Sequence, residues 1–207
     1  MKNVLILSNT AISSSESNGR IHSYFLNEYK IESVHNFYLT GITDFANANY
    51  IFVSPKNALK TKLLFGLPKT HLEIQKSLKR SEITKTSSNK KSKIPFYHWL
   101  RAFAFKNRSI LKALIEYVKA NKIDTVFLWG CNVPSVYYFA SKIKEKCNVK
   151  LSIFTGEDYP LKTYNYINRK KSFFYYFLRK SLRKQAYFAY KNCDEHSYAN
   201  EDLKALY

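Results

Sequence analysis

Two adjacent carboxylates are the residues of this chain best placed to do chemistry. Glu157 and Asp158 lie in the segment 155–160, directly after the segment 150–154, which predicts a buried strand. Carboxylates at the end of a strand can bind sugar hydroxyls, act as a general base or hold a metal ion. The alternative is structural, because either side chain could cap a helix or tighten the turn. We take Glu157 and Asp158 as the candidate catalytic pair.

A tryptophan follows the preceding predicted strand. The apolar run 123–128 ends at Trp129, and Asn132 stands a few residues further on. A tryptophan at the tip of a strand can form a flat platform for a sugar ring, because its large apolar face also carries a polar N–H. The alternative is that Trp129 belongs to the core. We take Trp129 and Asn132 as candidate ligand-binding residues.

A serine-rich loop follows the first predicted strand, at 4–8. It ends at Gly19, ahead of a predicted helix at 20–29. Gly19 lets the backbone approach a ligand, and the start of the helix offers unpaired N–H groups to an anion or a hydroxyl. The loop has neither the GxGxxG spacing of a dinucleotide site nor the GK[ST] of a Walker loop. A plain strand-to-helix turn is the alternative. The candidate ligand-binding residues here are Ser17, Asn18, Gly19 and His22.

Predicted strands and helices alternate along the chain. Further strands are predicted at 34–39, 50–54 and 195–199, and further helices at 96–120, 134–146, 172–191 and from residue 200. This alternation predicts an α/β fold, a single domain with a parallel sheet and helices on both faces. Ligands of such sheets bind at the carboxyl ends of the strands. We expect three loops to meet there, at 9–19, 129–134 and 155–160.

The charge of the chain is strongly uneven. The net charge is +19, and the segment 159–193 holds nine Lys or Arg, eleven Phe or Tyr and no Asp or Glu. Rings seat at the headgroup level of a membrane and cations bind its phosphates. The same mixture suits nucleic acid, where rings stack on bases. In the predicted helix 172–191, Phe174, Leu178 and Leu182 form a stripe that should be buried. Rings and cations should lie opposite this stripe. The candidate membrane-binding residues are Arg169, Lys170, Lys171, Phe173, Arg179, Lys180, Arg183 and Lys184.

Other features of the sequence bear on its location. Cys131, Cys147 and Cys193 are far apart and show no zinc spacing, so we expect free thiols in a reducing cytosol and no metal site. The apolar run 4–7 is too short for a secretory signal, and no stretch reaches the ~18 apolar residues of a membrane span. The polar segment 69–93 is expected to be a flexible basic insertion.

With these pieces placed, the chain resembles the N-terminal Rossmann-like domain of GT-B glycosyltransferases, especially the retaining family 4 type. The strand 4–8 and the loop end 17–22 look like that family's opening. The strand 123–130 is similar to its "D-hydrophobic-hydrophobic-H-x-H/W" segment, and 157–160 to its "H-D-x-x-P" turn. The segment 193–203 is similar to its "A-D-x-x-x-x-x-S-E-x-L" segment. Glu157 stands where the family usually has His, and Asn200 where it usually has Ser.

The resemblance implies an acceptor-binding domain, 1–207, of an enzyme that moves a sugar from a nucleotide-sugar donor to an acceptor. Glu157 and Asp158 would be catalytic, and the loop residues named above would bind the acceptor. No cofactor is expected in this chain, because the family's donor binds mainly a C-terminal domain with an E-x7-E motif. We expect that domain to be absent here and the present chain alone to be inactive.

The resemblance also implies where the enzyme works. The acceptor is expected to be a lipid-linked polysaccharide or glycolipid precursor on the cytoplasmic face of the cell membrane. The basic, ring-rich segments would rest on that anionic surface as a peripheral membrane protein, at ~1 kcal/mol per cation. The alternative is a nucleic-acid-binding α/β module. It explains the charge but not the three loops at one sheet edge, so we expect no nucleic acid partner.

Overall fold

The described residues form an α/β fold, in which helices pack on one seven-stranded sheet. The computed structural model describes residues 2–13, 31–39, 48–53, 73–76, 106–161 and 173–206. Within these ranges the strands are β1 (Lys2–Leu7), β2 (Ile31–Tyr38), β3 (Ala48–Phe52), β4 (Glu73–Lys76), β5 (Thr125–Trp129), β6 (Lys150–Thr155) and β7 (Glu195–Tyr198). The helices are α1 (Arg108–Ala120), α2 (Pro134–Cys147), α3 (Phe173–Asn192) and α4 (Glu201–Leu206).

The strands form one sheet in the order β4-β3-β2-β1-β5-β6-β7. Strands β1, β2, β3, β5, β6 and β7 run parallel, and β4 pairs antiparallel with β3. This arrangement confirms the predicted α/β fold with a Rossmann-like parallel sheet. The chain builds the sheet outward from β1 in one direction through β2 and β3, and then in the other through β5. The topological switch therefore lies between β1 and β5, where sheets of this kind bind ligands.

Three helices pack against one face of the sheet. Helix α2 packs against β5 and β6, and α1 and α3 pack against α2, so that all three helices share one buried cluster with the strands. Helices α2 and α3 lie close to their predicted bounds. The buried helix residues include Leu111, Leu114 and Val118 of α1, Val136, Phe139 and Ile143 of α2, and Leu182, Ala186 and Ala189 of α3.

The opposite face of the sheet is buried as well. Val4, Ile6, Tyr50 and Phe127 point to this side and form a second cluster with Ile12. Side chains alternate between the two faces of a strand, so strands that are buried on both faces read as continuous apolar runs. The runs in β1 and β5 have that character. The helix predicted at 20–29 lies outside the described residues.

The structure differs from the sequence analysis at the start of α1. The predicted helix 96–120 is wrong at Asn107, which has extended backbone angles (φ −126°, ψ 128°). Its side-chain Oδ1 accepts a hydrogen bond from the Ser109 N–H at 2.8 Å. Asparagine is a strong N-cap because it satisfies an N–H that the first turn leaves unpaired. Helix α1 therefore begins at Arg108; residues 96–105 lie outside the described residues.

A second difference is strand β4. It falls inside the segment 69–93 that was expected to be a flexible insertion, and it pairs with β3 from Asn49 to Phe52. Four residues are too few for a period-2 pattern to be detected, and the hydrogen-bonding edge of β3 supplies the pairing. The rest of 69–93 lies outside the described residues. Within the described residues, no helix combines the length and the apolar character that crossing a bilayer requires.

Candidate functional site

A cleft of about 340 Å³ opens at the carboxyl edge of the sheet, beside the switch between β1 and β5. The segments that follow β1, β5, β6 and β7 surround it. Among the side chains that line it are Asn9, Thr10, Trp129, Asn132, Glu157 and Tyr159. The predicted loops 129–134 and 155–160 therefore meet at one edge, together with the described start of the loop 9–19.

The segment after β1 is held from below by a buried asparagine. Asn36 of β2 accepts a hydrogen bond from the Ile12 N–H (3.0 Å) and donates to Ser8 Oγ (3.0 Å). Tyr50 of β3 donates to the Ile12 carbonyl at 3.1 Å. Both side chains are fully buried. Buried polar groups that are satisfied in this way fix the chain they bind, which here carries Asn9 and Thr10 into the cleft.

The sequence analysis did not identify Asn36 or Tyr50. The sequence of β2 mixes polar and apolar residues, so Asn36 does not stand out in it. What could not be read from the sequence is which backbone groups it satisfies, since Ile12 lies 24 positions away in the chain.

Trp129 forms an aromatic wall of the cleft with Phe154. The two ring centroids lie 4.5 Å apart with an interplanar angle of 41°, and Phe127 follows at 6.2 Å from Trp129. Trp129 is half-buried: it packs on the second face of the sheet and also lines the cleft. It therefore belongs partly to the core and presents an aromatic surface to the cleft.

The backbone after Trp129 is tightly constrained. The Gly130 N–H donates to the Phe154 carbonyl at 2.8 Å, and a Cβ at position 130 would stand 2.9 Å from that oxygen. The Cys131 N–H donates to the hydroxyl of Tyr137 at 3.0 Å. These contacts turn the chain sharply, so that Asn132 comes to line the same cleft as Trp129.

The structure separates the two candidate carboxylates. Glu157 is exposed and lines the cleft, whereas Asp158 is half-buried and is absent from the cleft lining. The backbone carbonyl of Asp158 accepts a hydrogen bond from the Leu161 N–H at 2.9 Å, which closes a turn. Glu157 is thus the carboxylate of the pair that lines the cleft, and the Asp158 backbone takes part in the turn.

Helix α3 holds this turn in place. Nε of Arg183 donates to the Pro160 carbonyl at 2.8 Å, and Nη2 donates to the Leu161 carbonyl at 3.3 Å. Arg183 was expected to bind a membrane, and the structure gives it this additional structural contact. A charged donor with two acceptors makes a stronger tie than a neutral pair, so the position of the 157–161 turn depends on α3.

A chain of polar side chains runs beneath the cleft. The Tyr137 hydroxyl accepts from the Cys131 N–H, and its ring packs edge-on against Tyr190 of α3, with ring centroids 6.0 Å apart. The Tyr190 hydroxyl lies 3.2 Å from Thr155 Oγ1, which in turn lies 2.8 Å from Nε2 of His196. Complete burial raises the pKa of the Tyr137 phenol well above its ordinary value, and burial lowers the pKa of His196. Both groups are therefore neutral at pH 7, so this network links α2, β6 and α3 without a buried charge.

The exposed side of α3 mixes rings with cations. Tyr176 and Tyr187 are each 61% exposed, Phe177 is 47% and Phe188 is 43% exposed. The exposed cations among them are Lys180, Arg183, Lys184 and Lys191. At 3.6 residues per turn these eight residues share an arc of about 140°. We call them the ring–cation face. Leu178 and Leu182 are buried on the other side, so the predicted division of this helix is confirmed for the described side chains.

Two further basic residues can be placed relative to this face. Desolvation, followed by repulsion from the nearby Lys184, lowers the pKa of Lys106. Lys106 therefore lies close to Lys184 and adds positive charge beside α3. Arg179, which was expected to bind a membrane, is half-buried and lies off the ring–cation face.

The remaining candidate residues lie outside the described part of the chain. These are Ser17, Asn18, Gly19 and His22 of the first loop, and the basic residues Arg169, Lys170 and Lys171. Phe173 begins α3, but its side chain is also outside the described set. Among the described residues, no group of three or more His, Cys, Asp and Glu side chains could hold a metal ion.

The fold and the cleft define a class. The protein is an α/β domain of Rossmann-like topology whose open cleft lies at the switch point and is lined by an aromatic wall, an amide and a carboxylate. Comparisons with family models, curated proteins and solved structures find no match to this chain.

Proposed function

We propose that the cleft binds a hydroxyl-rich acceptor, a saccharide, and that the domain is the acceptor-side half of a GT-B type glycosyltransferase. The observation that carries this proposal is the meeting of Trp129, Asn132 and Glu157 in one cleft at the switch point. The resemblance of the 157–160 and 193–203 segments to the retaining family 4 type supports it. Transfer itself would need a second domain that binds the nucleotide-sugar donor.

Each side chain has a role that fits a sugar. The apolar face of a pyranose ring packs on an aromatic ring, which Trp129 supplies beside Phe154. Hydroxyl groups need acceptors and donors, which Glu157 and Asn132 supply. Glu157 is exposed at the cleft wall, so it can reach an acceptor hydroxyl and take its proton as a general base. A cleft of about 340 Å³ is at the small end of ligand sites, which suits one sugar with its linkage leaving through the open side.

The ring–cation face supports a working position on a membrane. Exposed rings are unusual among charged residues on a solvated helix, and aromatic rings with cations suit the headgroup layer of an anionic bilayer. We propose that the protein lies on the cytoplasmic face of the cell membrane, with a lipid-linked acceptor reaching the cleft. Four cations at ~1 kcal/mol each would hold it reversibly.

The saccharide proposal is tested by the fluorescence of Trp129. In a Trp99→Phe background, titration with methyl glycosides of common hexoses should change the emission, because a sugar on the ring replaces water. Glu157→Gln and Asn132→Ala should each weaken binding about tenfold, the value of ~1.4 kcal/mol for one lost hydrogen bond. Asp158→Asn, the matched control, should bind normally. Unchanged emission with every glycoside would reject the cleft as a saccharide site.

The membrane proposal is tested separately by co-sedimentation with vesicles. The protein should bind phosphatidylglycerol vesicles but not phosphatidylcholine vesicles. Added salt should weaken this binding without abolishing it, because the buried rings contribute an apolar component. Tight binding to a random oligonucleotide that falls log-linearly with salt would instead favour the nucleic-acid-binding module.

A further inference from the structure

Arg183 belongs to two parts of the molecule at once. It stands at one edge of the ring–cation face, within one turn of Lys180 and Lys184, and its guanidinium also holds the turn that carries Glu157. The bond to the Leu161 carbonyl is exposed to solvent. One side chain therefore joins the surface proposed to meet the membrane to one wall of the cleft.

The two bonds to the turn use one edge of the guanidinium. Nε–H and one N–H of Nη2 form its side-on edge, and these are the groups that donate to Pro160 and Leu161. Three of the five N–H donors remain, and two of them, one on Nη1 and one on Nη2, form the end-on edge. To the described part of the chain Arg183 makes no further hydrogen bond. A planar guanidinium binds phosphate through two parallel N–H bonds, which is one edge of the group.

The surroundings of that second edge favour an anion in a lipid headgroup layer. Lys180 and Lys184 lie within one turn of Arg183, and Tyr176 and Tyr187 flank it along the helix. Helix α3 has no acidic residue that could compete for the guanidinium. A free phosphate in water would meet the same cations but would gain nothing from the rings.

We propose that Arg183 binds the phosphate of an anionic lipid with its end-on edge while its side-on edge stays hydrogen-bonded to the Pro160 and Leu161 carbonyls. Docking on the membrane would then stiffen the turn that carries Glu157, which is one wall of the cleft. The inference rests on the proposed docking of α3. An arginine whose position is fixed by a phosphate loses less freedom when it also binds the two carbonyls, so each contact strengthens the other. By thermodynamic reciprocity, docking then raises the affinity of the cleft, and a bound ligand raises the affinity for the membrane.

The direct test measures hydrogen exchange of the Leu161 amide, which donates to Asp158 within the turn. Phosphatidylglycerol vesicles should slow this exchange about fivefold in the wild type, at the low end of usual coupling between sites. Phosphatidylcholine vesicles and free glycerol phosphate should leave it unchanged. In Arg183→Gln the vesicles should still bind, through the other cations and rings, and the exchange should no longer respond.

Two variants keep the result interpretable. Lys184→Gln, the matched control, removes one charge from the same face and should keep the full response of the Leu161 amide. Arg183→Lys keeps the charge but has no second edge, so it should bind vesicles normally and lose the response. A purely structural role for Arg183 would speed the exchange in both Arg183 variants but leave the vesicle effect intact.

Several outcomes would overturn the inference. Vesicles that slow exchange equally in wild type and Arg183→Gln would exclude Arg183 as the link. Vesicles that speed exchange in the wild type would mean that lipid phosphate takes the guanidinium away from the turn. An equal effect of glycerol phosphate, or an effect produced by an oligonucleotide, would exclude the lipid surface as its source.

The failure of this inference can be told apart from that of the proposed function. The exchange measurement needs no saccharide, and the Trp129 titration needs no vesicle. If glycosides bind and the Leu161 amide ignores vesicles, the saccharide site stands and the coupling is rejected. If the amide responds and no glycoside binds, the coupling stands and the cleft needs another ligand. A wild type that binds no vesicle rejects docking and coupling together.

Discussion

Gly130→Ala should destabilise the protein strongly, although Ala is a small and common residue. The added Cβ would stand 2.9 Å from the Phe154 carbonyl oxygen and 3.4 Å from the Tyr137 hydroxyl. The first of these neighbours is backbone in β6 and cannot rotate away. Relief must come from a shift of β5 against β6, which strains the Gly130 N–H bond to Phe154 and the Cys131 N–H bond to Tyr137.

The size of the effect follows from these contacts. Inserting a methyl group into a packed site costs about 1–3 kcal/mol, and weakening a buried hydrogen bond adds about 1 kcal/mol. We expect a loss of about 2–4 kcal/mol in the free energy of unfolding. For a chain of this length that lowers Tm by roughly 5–15 °C.

Gly156→Ala is the matched control at the same edge. Its Cβ would meet the Phe154 ring at 3.2 Å, and a ring can tilt where a carbonyl cannot. We expect a cost under about 1 kcal/mol, but a changed emission of Trp129, which packs on that ring. Urea unfolding followed by circular dichroism measures both variants. Equal stability of Gly130→Ala and wild type, or equal losses in the two variants, would refute the close packing of Gly130 against β6.

Three further predictions concern the support of the site, its surface and its pH response. Asn36→Ala should lower the free energy of unfolding by about 3 kcal/mol in a urea titration, because it leaves the buried Ile12 N–H unpaired. Asn192→Ala, the control at an exposed helix end, should lower it by less than about 1 kcal/mol. Replacing Lys180, Lys184 and Lys191 with Gln should weaken binding to phosphatidylglycerol vesicles about 100-fold, at ~1 kcal/mol per cation, and leave thermal stability unchanged; the same replacement of Lys112, Lys119 and Lys204 tests whether position or total charge matters. Burial lowers the pKa of His35 and His196 below the ordinary 6.5. As pH falls, the unfolded chain therefore binds more protons than the folded protein does. This contribution to stability should be complete above pH 6.5 and decrease below it. His35→Gln should flatten the fall of Tm between pH 7 and 5, and an unchanged dependence of Tm on pH would contradict the burial argument.

Much of the fold could be predicted because its signals are local. The run in β5 and the helix α2 after Pro134 follow from apolar patterning and from proline at a helix start. The edge where the loops meet follows from the parallel sheet alone. The helix from residue 200 was also predicted, and Asn200 caps it, because its Oδ1 accepts from the Leu203 N–H at 2.8 Å.

The parts that could not be predicted depend on distant partners. Strand β4 exists because β3 offers it an edge, and Asn107 breaks a helical pattern because its own side chain satisfies the next turn. Adjacent residues such as Glu157 and Asp158 have the same chemistry in the sequence. Their difference arises from a turn that Arg183 holds from α3, more than twenty positions later. Sequence reasoning placed both residues in a segment beside the cleft and could not choose between them.

The central place of β1 has a consequence for how the chain folds during synthesis. One neighbour of β1 is β2, which is made early, but the other is β5, and the Asn3 N–H bonds to the Asp124 carboxylate across 121 positions. Until residue 129 is made, β1 keeps one hydrogen-bonding edge open and lacks α2 and α3 of the first cluster. Such long-range pairings close slowly, and an open apolar strand is a site for aggregation while it waits. We therefore expect the nascent chain to depend on chaperones until β5 has joined β1.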